Sequence, residues 1–121
     1  MITHIKFVSI PSRDQDRSLK FYTEKLGFKV VTDQPMGEGQ RWIELRLGAA
    51  ETKFVLFTPP GAETLMGSMF NGAFAADDVD KTYDELLARG VVFVEPPTDQ
   101  PWGKFAIFKD PDGNRFVLSS R

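Results

Sequence analysis

Apolar residues recur along this chain in two rhythms, a period of two in short runs and a period near 3.6 in two longer ones. "IKFVSI" alternates around β-branched and aromatic residues and reads as a strand ended by Pro11. "PSRDQDRSLKFYTEKLGF" reads as a helix, with Asp14 or Asp16 as the N-cap and Leu19, Phe21, Tyr22 and Leu26 as its apolar stripe. Gly27 stands where a left-handed residue ends it. "FKVVTD", "QRWIELRL" and "TKFVLFTP" follow as three strands. After the connector "PPGAETLMGSMFNG" the same order returns: "AFAADD" as a strand, then "VDKTYDELLARG" as a helix capped by Asp77 or Asp78 and stopped by Gly90. "VVFVEPP", "GKFAIFKD" and "RFVLSS" complete the set, with "DPDGN" as a turn.

The halves also agree in spacing. The helix-ending glycines Gly27 and Gly90 are 63 residues apart, the helix tyrosines Tyr22 and Tyr83 are 61 apart, and the apolar runs starting at Val55 and Phe116 are 61 apart. Internal duplication is the economical explanation, because a helix and four strands with one face covered do not close a core alone. The expected organisation is α+β, two tandem β-α-β-β-β modules in a single domain over 1–121: module one at 1–58, a connector at 59–70 and module two at 71–121.

Composition narrows the chemistry. The chain has 121 residues, 41% of them hydrophobic, enough for one ordinary core without staples. It has no cysteine, so thiolate nucleophiles, thiolate metal sites and redox pairs are excluded, and a single histidine, His4, leaves no Ser-His-Asp arrangement. A net charge of -2, with both signs scattered, offers no basic field for nucleic acid or an anionic membrane. With no signal-like start and no run long enough to span a bilayer, a soluble cytoplasmic protein is expected. "DPDGN" lacks the repeated oxygen ligands of a calcium loop.

Two β-α-β-β-β modules, with "DRSLKFYTEKLGF" in the first helix and "FKDPDGNRFVL" in the last hairpin, resemble the vicinal oxygen chelate superfamily, which includes glyoxalase I, bleomycin-resistance proteins, fosfomycin-resistance enzymes and extradiol dioxygenases. The resemblance runs from about Ile2 to Ser119. It implies that the strands curl into a cup-shaped mixed sheet with helices on the convex side, that the ligand sits on the concave face, and that the protein is a homodimer. In the metalloenzymes of the superfamily, His and Glu from the first and fourth strands of each module hold a divalent metal. Counting from the motifs, those positions are Phe7, Leu56, Asn71 (to within about a residue) and Val117, and none is His, Asp or Glu. No metal or other cofactor is therefore expected. His4 does not repair the deficit, since strand alternation sets it on the face opposite Phe7.

Alternation in the third strand puts Trp42, Glu44 and Arg46 toward the cup and Ile43, Leu45 and Leu47 toward the helices. Phe54, Leu56 and Thr58 are expected beside the first three, with Gly103, Phe105 and Ile107 as their counterparts in module two and Trp102 at the strand mouth. Together with Phe7, Asn71 and Val117 this makes an aromatic-rich lining suited to a small organic molecule. Core packing is the competing reading for Phe54 and Phe105, and a solvent-facing ion pair is that for Glu44 and Arg46. Three functions remain open. The first is metal-free binding of a small organic ligand, with sequestration of a toxic compound or antibiotic as in the bleomycin-resistance proteins. The second is a metal-free lyase- or isomerase-like enzyme that uses Glu44 as general acid/base with an arginine stabilising negative charge. The third is a metal-dependent glyoxalase or dioxygenase, against which the missing ligands argue. Leu65, Met66, Met69 and Phe70 of the connector have no periodicity to bury them and are expected at a subunit contact.

Overall fold

A computed structural model of the chain describes residues 1–37, 39–58, 61, 64–67 and 71–120, with Asn71 described by its backbone alone. The chain divides into two compact units, Met1–Met66 and Gly67–Arg121.

In the first unit, strand β1 (Phe7–Pro11) leads into helix α1 (Gln15–Lys20), which widens into a π-helical turn over Phe21–Lys25. Strands β2 (Lys29–Pro35), β3 (Arg41–Arg46) and β4 (Lys53–Phe57) follow. Asp14 is the N-cap, its carboxylate accepting from the Arg17 amide. The wide turn carries an i to i+5 bond from Leu26 N to Phe21 O, and the extra residue lets the adjacent Phe21 and Tyr22 both turn inward. Gln15 is buried at the helix start and ties it to the sheet: its amide nitrogen donates to the carbonyls of Arg41 (2.7 Å) and Leu56 (3.1 Å), and its oxygen accepts from Arg41 N.

The second unit repeats the order with β5 (Asn71–Ala76), α2 (Val79–Ala88), β6 (Val92–Gln100), β7 (Gly103–Lys109) and β8 (Arg115–Ser120). Asp78 caps α2 by accepting from the Lys81 amide. The "DPDGN" turn is a buried knot: Asp110 Oδ1 accepts from the amides of Asp112 and Asn114, and Asn114 Nδ2 donates to Asp110 Oδ2 at 2.8 Å. Asn114 Oδ1 then accepts from Gly67 N, which fastens the start of the unit to its last hairpin.

The expected curled, cup-shaped sheet does not form. Each unit has its own four-stranded sheet, β1-β4-β3-β2 in the first and β5-β8-β7-β6 in the second, and neither is closed or curled. Each is mixed, with one parallel pair (β1 with β4, β5 with β8) and antiparallel neighbours elsewhere. The prolines fit open edges: Pro11 lies in edge strand β1, Pro35 in β2, and Pro96 and Pro97 in β6, where a missing amide donor breaks no ladder. The helices flank the sheets, α1 against β4 and α2 against β6, β7 and β8.

Each core lies between helix and sheet. In the first unit Ile10, Ile43, Leu45, Phe54 and Leu56 are buried with Tyr22 and Phe28, and the rings of Phe54 and Phe28 stack at 5.1 Å. In the second, Phe74, Phe108 and Phe116 form a ring cluster at 5.3 to 6.0 Å, extended by Phe93 and Tyr83.

Candidate functional site

Strand alternation gives each sheet a second face, away from its helix. In the first unit that face carries Phe7 and Ser9 of β1, Lys53, Val55 and Phe57 of β4, and Trp42, Glu44 and Arg46 of β3. Phe7 and Trp42 lean toward one another from different rows and meet edge to face at 5.5 Å; the register places Val55 between them, and it is buried. Trp42 Nε1 donates to Glu44 Oε2 at 2.7 Å, and Glu44 Oε1 lies 3.8 Å from Lys53 Nζ. The Glu44 and Lys53 side chains are only 18% and 19% exposed, so the pair is shielded by its aromatic neighbours. Arg46 is exposed. The first unit thus fills this face with its own side chains.

The second unit leaves the corresponding face open. Ala73, Ile107 and Val117 lie in one row across β5, β8 and β7, and with Gly72, Arg115 and Phe116 they line a pocket of about 210 Å³. At the far end of β7, Phe105 stacks on Trp102, with ring centroids 5.9 Å apart, and Trp102 is 64% exposed at the turn before the strand.

Several expected lining residues are here and others are not. Phe7, Trp42, Glu44 and Arg46 share the helix-distal face of the first unit; Phe105, Ile107 and Val117 share that of the second, with Trp102 at its rim. Phe54 and Leu56 are corrections. Both lie on the helix-covered face, Phe54 against Tyr22 and Phe28 and Leu56 fully buried, because β4 pairs Leu45 with Phe54 and Ile43 with Leu56. A one-residue slip in counting β4 exchanges its faces, and the residues turned away from the helix are Lys53, Val55 and Phe57. The side chain of Asn71 lies outside the described residues. Lys53 and Arg115 are lining residues that the sequence reading did not name; for Arg115 the signal was available, since it stands two residues before Val117 on the same face, whereas the apolar run after Lys53 leaves the phase of its strand open.

Two further ionic clusters hold helix to sheet. Arg41 donates to Asp33 on β2 and to Asp16 on α1, and the bonds to Asp33 first and Asp16 second hold its guanidinium charged above its ordinary range. Lys104 reaches Asp80 on α2 and Asp99 on β6 in the same way, and its pKa is raised chiefly by the bond to Asp80.

Among the described residues the face of the first unit offers Glu44 as a lone carboxylate, and neither face has a cluster that would hold a metal. Phe7 and Val117 carry no donor, Val55 takes the place expected of Leu56, and among the described residues no group of three or more His, Cys, Asp or Glu converges. His4 lies outside β1, exposed, with Glu51 at 3.8 Å.

The sequence profile of the Glyoxalase/Bleomycin resistance protein/Dioxygenase superfamily matches residues 2–118. The chain belongs to that superfamily. YetH, an uncharacterized protein of Bacillus subtilis (strain 168), is 36% identical over 121 residues and is covered over 98% of both chains. The crystal structure of UcmS2 superposes with a TM-score of 0.88 at 32% identity, covering 98% of each chain. That of TnmS3, an antibiotic binding protein from Streptomyces sp. CB03234, superposes with a TM-score of 0.82 at 36% identity, over 98% of this chain and 96% of that one. The superfamily fold is thus present with a donor set that does not fit the metal of its chelating members. Among the described residues no helix is long and apolar enough to cross a membrane.

Proposed function

We propose that this protein binds a small, ring-bearing organic molecule on the helix-distal face of its second unit, without a metal, and holds it rather than transforming it. The observation that carries the reading is the open apolar pocket over Ala73, Ile107 and Val117. Apolar walls supply contact area, and one charged group at the margin fixes orientation. Similarity to an antibiotic-binding protein over nearly the whole chain supports sequestration as the role. A thermal-shift screen of aromatic metabolites, antibiotics and divalent metals tests it, because a ligand that binds only the folded state raises the melting temperature. Aromatic compounds should stabilise the protein and divalent metals should not; stabilisation by metals alone would overturn the reading.

One observation favours a second reading, catalysis by Glu44: this carboxylate is shielded from water beside two aromatic rings and an ammonium group. Turnover of a ligand found in the screen, lost in Glu44→Gln, would establish it. We further read the protein as a cytoplasmic homodimer, with Leu65 and Met66 of the connector at the subunit contact; Met69 and Phe70 lie outside the described residues.

A further inference from the structure

The two units repeat one arrangement of charge with a single member exchanged. Their ladders correspond, Leu45 opposite Phe54 matching Phe108 opposite Phe116, and Ile43 opposite Leu56 matching Ala106 opposite Leu118. Lys53 therefore corresponds to Arg115, Val55 to Val117, Arg46 to Lys109 and Glu44 to Ile107. In the first unit the basic residues share their face with a built-in anion, the Glu44 carboxylate 3.8 Å from Lys53. In the second unit both basic residues are kept, Lys109 directly opposite Arg115, but an isoleucine stands in place of the acid.

The consequence is an unanswered positive charge at the edge of an apolar pocket. Arg115 lines the pocket and is exposed, as is Lys109; among the described residues neither side chain makes a hydrogen bond or an ion pair. Glu95, opposite Ile107 on β6, is the acid nearest in register and forms no ion pair with either. Like charges directly opposite one another across two strands repel, and an anion placed between them relieves that repulsion. Arginine adds a planar fork of donors that matches a carboxylate or sulfonate edge.

We propose that the second unit selects organic anions: a small molecule whose ring system lies on Ala73, Ile107 and Val117 and whose acidic group meets Arg115, as the Glu44 carboxylate meets Lys53 in the first unit. The proposal rests on the reading that this face is the binding site and adds the charge of its ligand.

A matched pair of fluorescent probes tests it: 1-anilinonaphthalene-8-sulfonate and its uncharged parent N-phenyl-1-naphthylamine, which share one ring system and differ by the anion. The wild-type protein should bind the sulfonate roughly tenfold more tightly than the parent, the size expected of one partly exposed charge-assisted contact. Arg115→Gln should bring the ratio close to one. Ile107→Glu, which restores the acid of the first unit, should do the same by occupying Arg115 from within. If Ile107→Glu fails to fold, Arg115→Gln decides alone, since Arg115 is exposed and its replacement disturbs no core. A preference for the sulfonate that survives Arg115→Gln overturns the anion proposal while leaving the binding face in place. Binding of neither probe, or binding of both unchanged in Val117→Trp, overturns the face itself and the proposal with it.

Discussion

Glu44 shows how much a single carboxylate can organise. It accepts the indole N–H of Trp42 and stands opposite the Lys53 ammonium, so removing it leaves one donor unpaired and one shielded cation without its anion. Glu44→Ala should lower unfolding stability by about 1–3 kcal/mol, the range for leaving a shielded polar group without its partner, and Trp42→Phe by less, because the ion pair survives. Urea denaturation of the two variants and the double variant checks this; equal losses in both single variants would mean that the ion pair contributes nothing. Half of this constellation was legible in the sequence. Alternation correctly sets Trp42, Glu44 and Phe7 on one face, because each can be counted from an unambiguous strand. Lys53 was not legible: "TKFVLFTP" is apolar at consecutive positions, and such a run has no intrinsic phase until its partners fix it.

At the scale of elements, the duplication seen in sequence spacing recurs as repeated physical devices. Asp14 and Asp78 cap the two helices by the same bond to the amide three residues on, and Arg41 and Lys104 each join a helix aspartate to an edge-strand aspartate. Asp14→Ala and Asp78→Ala should each cost about 1 kcal/mol, the usual worth of an N-cap side chain. Thermal melts of both variants measure this, and no shift in either would show that neighbouring groups satisfy the amides instead. The sequence left Asp14 and Asp16 open, as it did Asp77 and Asp78, since all four are aspartates, which suit a cap, and only backbone geometry distinguishes them. The π-helical turn was hidden because its i to i+5 bond has no compositional mark, and the two adjacent aromatics it accommodates read equally well as an ordinary apolar stripe. Alternation says which face a side chain takes and nothing about how far a sheet bends, which is why the two β-α-β-β-β orders were readable and the expected curl was not.

For the whole molecule, superfamily membership constrains the scaffold and leaves the function to the residues standing on it. The proposed homodimer predicts a sedimentation-equilibrium mass at micromolar concentration of twice the 13.6 kDa chain, shifted toward the monomer by Met66→Lys; a single species at the chain mass would rule it out. The central claim is that an organic ligand binds without metal on the helix-distal face of the second unit. Titration calorimetry of an aromatic ligand from the thermal-shift screen, carried out in excess chelator with the wild-type protein and Val117→Trp, tests it most directly. The account predicts stoichiometric binding that the chelator leaves unchanged and that Val117→Trp abolishes; binding that vanishes with chelator, or that persists in Val117→Trp, would contradict it.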